Sequence, residues 1–172
     1  MQLQMTAPIM GVVGLVVAIL IYNYIKAQPA GNEKMAEIAE AIHDGAMAFL
    51  KREYKVLAVF MVVVFGLMLL APVLGWRTGV AFLGGAFCSI FAGLFGMQAA
   101  TKANVRTSEA ARSRGIAAAL MVSYSGGSVM GLAVASLGLV GVGVAYLVFY
   151  YIDTRRGDNN PTQNSLRRVQ QQ

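Results

Sequence analysis

Charge is what this sequence has least of. Only 13% of its 172 residues are Asp, Glu, Lys or Arg, against 57% hydrophobic, and the mean hydropathy is +0.60. That balance excludes an ordinary soluble domain. Cys88 is the only cysteine, so no intrachain disulfide can form. No GxxxxGK[ST] run occurs, so nothing cradles a phosphate in the P-loop manner. The one candidate glycosylation acceptor, Asn160, fails because Pro161 follows it. A secretory signal carries cations ahead of its apolar stretch, whereas here none precedes Lys26. The order favours a retained first span with its N-terminus outside.

What is present is oil in long pieces. Four runs lack Asp, Glu, Lys and Arg altogether, at roughly 8–25, 56–76, 78–101 and 115–152. Each reaches the roughly 17 to 20 residues with which a helix spans a bilayer. The alternation that a barrel strand requires is absent, and helices are the remaining way to satisfy every backbone group in lipid. The expected fold is an all-α membrane protein with four transmembrane helices, over about 8–25, 32–74, 78–101 and 115–152. The polar segment 153–172 lacks an amphipathic period and reads as a disordered tail.

Cations set the expected topology. The connection 26–55 carries Lys26, Lys34, Lys51, Arg52 and Lys55, and the loop 101–115 carries Lys102, Arg106, Arg112 and Arg114 beside Glu109. The short GWRTG turn has only Arg77, so the positive-inside rule places it outside and the two basic connections in the cytosol, with Trp76 an interfacial anchor. Within 32–55, Met35, Ile38, Ala39, Ile42, Ala46, Phe49 and Leu50 recur at spacings of three and four. They predict an amphipathic helix, N-capped by Asn32, that runs unbroken into the second span. Small residues at four-residue spacing, Gly85, Ser89 and Gly93 in the third run and Ser123, Gly127, Gly131 and Ala135 in the fourth, predict close helix packing in this chain or with another.

Chemistry is sparse by comparison. The four runs hold no acid or base, and Asn23, Ser89, Ser123, Tyr124, Ser125, Ser128 and Ser136 are their main polar members, which disfavours a self-contained ion path. Glu40 and His43 have the i, i+3 spacing of a carboxylate-bridged metal site, yet such a site needs a second motif and His43 is the only histidine. Glu37, Glu40 and Asp44 beside Lys34, Lys51 and Arg52 read as ordinary pairs on a wet helix. The net charge of +6 suits loops facing anionic lipid, and no nucleic-acid partner is needed.

Three blocks in order carry a resemblance. GNEKMAEIAEAIHDGAMAFLKREYKVLAVF, GMQAATKANVRTSEAAR and ALMVSYSGGSVMGLAVASLGLVGVGVAYLVF resemble the second helix, the third helix with its following loop, and the fourth helix of the membrane-bound, ion-translocating inorganic pyrophosphatases. The resemblance covers about residues 8–152 and implies an N-terminal four-helix portion of a pump driven by pyrophosphate hydrolysis. Complete members are several times longer and act as homodimers. Their Mg2+ and pyrophosphate ligands lie on later, inner-ring helices, whereas the first four helices belong to the outer ring. The resemblance thus assigns no catalytic, cofactor-binding or metal residue to this chain. It implies Mg2+ only for the complete enzyme, and as partners the bilayer, the remaining helices or a companion chain, and pyrophosphate only in the complete enzyme. The polar tail matches nothing in the family. A bacterial inner membrane is the expected location. The rival expectation is a non-enzymatic scaffold or accessory subunit.

Overall fold

A computed structural model of the chain describes residues 2–71 and 75–158. Four helices make up nearly all of them: α1 (Gln2–Ala27), α2 (Glu33–Leu70), α3 (Gly75–Arg114) and α4 (Ile116–Asp158). All four are long and apolar enough to cross a membrane, and no strand occurs among the described residues. The tail expected to be disordered is helical as far as Asp158, and its remainder, 159–172, lies outside the described residues.

The helix ends follow from local chemistry. After Ala27 the Gln28 N–H donates to the Ile25 carbonyl at 3.0 Å, and Pro29 follows, which cannot continue a helix. Gly31 takes φ +88°, and Asn32 then caps α2, its Oδ1 accepting the Met35 N–H at 2.9 Å. The end of α2 comes at Leu70, because Ala71 precedes Pro72 and is held extended at φ −86°, ψ 105°. The GWRTG stretch is the first turn of α3 rather than a free turn.

The largest departure from expectation is at 101–115. That segment is no loop. It continues α3 to Arg114, since no Gly or Pro interrupts it, and within the helix the hydroxyls of Thr107, Ser108 and Ser113 are each satisfied by the carbonyl four residues back. The break is one residue, Gly115 at φ +86°, whose carbonyl already accepts the Ala119 N–H at 3.2 Å to start α4.

The resulting α3–α4 hairpin is the centre of the molecule. Among its buried positions, Ala92, Gly96, Ala99, Ala103 and Ala110 on α3 and Ala119, Val122, Gly126, Val129, Ala133 and Ser136 on α4 alternate spacings of three and four wherever they run unbroken, while Thr101 and Glu109 are buried off this series. This is the pattern of a left-handed coiled coil. The side chains are small, so the backbones approach closely: a Cβ on Gly126 would lie 2.7 Å from that of Ala103, and one on Gly141 would lie 3.3 Å from the Cys88 sulfur. The ladder named from sequence on α4, Ser123, Gly127, Gly131 and Ala135, is exposed throughout, as are Gly85 and Ser89 on α3. A strict four-residue ladder advances around the helix by about 40° per step. It therefore drifts off the seam that alternating threes and fours maintain.

On the other side of α4 packs α1, with Pro8 against Gly143, and Gly11 and Gly14 against Ser136. The second helix, α2, touches only α3 among the described helices, and no residue of its most apolar 18-residue window is fully buried. The helices thus stand in the order α2, α3, α4, α1, with α1 also reaching α3.

Candidate functional site

The chemistry-bearing side chains gather where the end of α1 and the start of α2 meet the charged last turns of α3. Arg106 is the hub. Its Nε donates to the Gln28 carbonyl at 3.0 Å, its Nη2 to the Lys26 carbonyl at 3.4 Å and its Nη1 to the Lys102 carbonyl in its own helix at 2.9 Å. A guanidinium thereby takes up carbonyls that the C-terminus of α1 leaves unpaired, where a positive charge also complements the helix dipole. Nearby, Arg114 Nη2 donates to Gln28 Oε1 at 2.8 Å.

Glu109 is buried beside this clamp, 8% exposed, and accepts a bidentate pair from Arg112 at 2.9 and 3.0 Å. It lies beyond the apolar run of α3. The Arg112 hydrogen bond holds its carboxyl below the usual carboxylate range, against the opposing effect of burial. Its Oε2 would stand 3.0 Å from any Cβ at position 31, so Gly31 serves both the turn and the approach of this carboxylate. Three of the four cations of the basic stretch, Arg106, Arg112 and Arg114, are therefore more than a topology signal. Sequence reasoning missed the clamp because it joins residues some eighty positions apart, and only the fold brings Gln28 to Arg106.

One step further along, the Nδ1 of His43 lies 3.1 Å from the Thr101 hydroxyl. That hydroxyl is also within donor range of the Met97 and Gln98 carbonyls at 3.0 and 3.2 Å, so its single proton serves one of these carbonyls when the imidazole carries its proton on Nδ1, and Nδ1 itself in the other tautomer. A cleft of about 320 Å3 opens beside this pair, lined by Glu40, Asp44, Lys102 and Arg106 among others. Its walls mix two acids with two cations, one of which is committed to carbonyls. Tyr54 Oη donates to the Ile90 carbonyl at 3.1 Å and marks the α2–α3 register deeper down.

Known proteins give this arrangement a lineage. A family model described as Inorganic H+ pyrophosphatase matches residues 12–167. The chain belongs to that family. It is 49% identical over 123 residues to the "K(+)-stimulated pyrophosphate-energized sodium pump" of Thermotoga maritima, covering 71% of this chain and 17% of that protein. Over 148 residues it is 40% identical to the "K(+)-insensitive pyrophosphate-energized proton pump" of Methanosarcina mazei, covering 86% of this chain and 22% of the pump. A Clostridium tetani protein, named provisionally for a K(+)-stimulated sodium pump of the same kind, is 55% identical over 123 residues and is covered to 18%. This member of the inorganic H+ pyrophosphatase family thus spans about a fifth of the length of the relatives it matches. The match through residue 167 takes in most of the tail, correcting the expectation that the tail resembles nothing in the family.

Divalent metal is the cofactor such a family implies. Holding several Mg2+ ions takes converging carboxylates. Among the described residues no three His, Cys, Asp or Glu side chains come together in that way. The described residues do not fit such a centre.

Proposed function

We propose that this chain supplies the first four, peripheral helices of a pyrophosphate-energised proton or sodium pump, whose hydrolytic and ion-conducting helices come from the rest of a longer polypeptide or from a companion chain. The observation that carries this reading is the family match over residues 12–167 combined with coverage of only 17–22% of the pumps compared. In it, pyrophosphate and Mg2+ bind the complete enzyme, the complete enzyme is a homodimer, and this portion acts as scaffold in a bacterial inner membrane. The N-terminus lies outside and the Arg106 clamp on the cytosolic side. Alone, the chain hydrolyses nothing.

The test has two parts. Purified, folded chain is given pyrophosphate with Mg2+ and phosphate release is measured: none is expected, and release would overturn the claim that hydrolysis resides elsewhere. An antibody against residues 26–55 is then used on the source membrane. A band several times larger than 18.3 kDa, or one near 18.3 kDa that copurifies with a chain carrying the later helices, supports the pump. An isolated 18.3 kDa species with no such companion favours the second reading, a non-enzymatic membrane scaffold. The exposed α4 ladder of Ser123, Gly127, Gly131 and Ala135 suits that role, because such a face lets another helix approach closely.

A further inference from the structure

The register of α2 against α3 raises a problem that the apolar runs, taken one at a time, conceal. Tyr54 bonds Ile90, and a Cβ on Gly93 would meet the Tyr54 hydroxyl at 3.0 Å. Lys51, Arg52 and Lys55, which flank Tyr54, therefore stand level with the middle of the uncharged 78–101 run of α3. Ile90 lies roughly 18 Å along the helix axis from Lys102 at the polar end. Below these cations α2 offers only the 15 residues from Val56 to Leu70, roughly 22 Å of helix, where about 30 Å of hydrocarbon must be crossed.

All three cations are exposed, and no described residue pairs with them. The face of α2 that packs on α3 is marked by Leu50, Tyr54, Leu57 and Met61. At 3.6 residues per turn Arg52 falls opposite that seam, Lys55 on its flank beside it, and Lys51 nearer the seam on the same side. Glu53, the nearest acid in sequence, projects from the other flank. Directly below Arg52 and Lys55 the same stripe continues as Val59, Val62, Val63 and Leu70, between 55 and 81% exposed. Apart from Gly66, which meets nothing within 4 Å, the stripe carries the branched apolar side chains of a lipid-facing surface and no polar residue, rather than the repeated small residues of a helix interface.

We propose that Lys51, Arg52 and Lys55 form a docking site for the phosphate of an anionic phospholipid, drawn inward at α2. Cations below the ordinary headgroup level are accommodated by snorkelling and local thinning of the bilayer, and a lipid phosphate that follows them down supplies the missing counter-charge. The 15-residue apolar segment then spans a hydrocarbon layer of its own length.

The test uses the full chain in phosphatidylcholine vesicles with trace spin-labelled phosphatidylglycerol or spin-labelled phosphatidylcholine, and reads relative lipid association by electron paramagnetic resonance. A cation near an anionic surface contributes roughly fivefold. With partial additivity, wild type should prefer phosphatidylglycerol by about tenfold, and K51Q/R52Q/K55Q should lose at least about fivefold of that preference. K51R/K55R should keep it, and K26Q/K34Q, removing exposed cations elsewhere, should change it less than about twofold. Equal losses in the two glutamine variants would mean diffuse attraction and overturn the site, as would no preference in wild type. Competition by millimolar inorganic phosphate or pyrophosphate would assign the cations to a soluble anion and overturn the lipid. If circular dichroism shows the triple variant unfolded, Arg52→Gln alone should lower the preference about two- to fivefold, and no change there overturns the proposal. No outcome depends on pump activity, so the pump reading stands or falls separately.

Discussion

Replacing two adjacent glycines by alanine separates packing from helix propensity in α4. Gly126 and Gly127 are neighbours in one helix, so the propensity gain of Gly→Ala, up to about 1 kcal/mol, is shared by both and cancels in their difference. What remains is contact. A Cβ on Gly126 would lie 2.7 Å from the Ala103 Cβ, about 1 Å short of the separation at which carbon atoms rest. Ala103 has no rotamer to change, so α3 and α4 must part. Overpacking of that kind costs typically 1–3 kcal/mol, and α4 rests on this seam for most of its length. A Cβ on Gly127 meets nothing within 4 Å. Gly126→Ala should therefore unfold more easily than Gly127→Ala by about 1–3 kcal/mol. SDS titration of the chain in mild-detergent micelles, followed by circular dichroism, measures the difference. Gly96→Ala falls between them, because its obstacle is the flexible Met130 side chain at 2.6 Å. Equal midpoints for the Gly126 and Gly127 variants would refute the seam.

Three further outcomes follow from the junction of α1, α2 and α3. Arg106→Gln removes two charge-assisted bonds to the end of α1 and should weaken its docking by about 2 kcal/mol, read as faster amide exchange at residues 22–28 with the α2–α3 contact unchanged. Gly31→Ala forces a side chain into φ +88° and against Met35 and Glu109, and should lower the unfolding free energy by about 1–2 kcal/mol. Glu109 has a lowered folded-state pKa, so its contribution is fully present above the ordinary glutamate value and is lost as pH falls through the folded one. Acidification from about pH 5 to pH 3 should destabilise wild type more than Glu109→Gln.

Which features were readable from sequence depends on how far apart their causes lie. Helix number, the Asn32 cap and the fusion of the wet and apolar halves of α2 are local consequences of hydropathy and of single residues, and all are present. The continuation of α3 through 101–114 was equally local, since that segment holds no Gly or Pro. It read as a loop because charge was taken for exposure, although a charged helix extending beyond the membrane satisfies both. The Arg106 clamp, the burial of Glu109 and the choice of seam on α4 depend on partners in other helices. Gly126 and Gly127 differ in the sequence only by one position, and only the presence of Ala103 tells them apart.

The same distinction bears on how membrane depth is assigned. Taken alone, α2 places its boundary at Lys55, after which no charge appears until Arg77. Taken against α3 through Tyr54 and Ile90, that boundary falls near the middle of the neighbouring apolar run. A flat slab of hydrocarbon cannot satisfy both helices at once. Either the exposed apolar surface of α1 above this level, including Ile19 and Leu20, is covered by protein, or the bilayer dips at α2 to meet its cations. In the pump reading the missing helices can cover α1, while the exposed valine stripe of α2 still faces lipid. The two solutions then act on opposite sides of the helix row, and α2 is where bilayer thickness would be felt first.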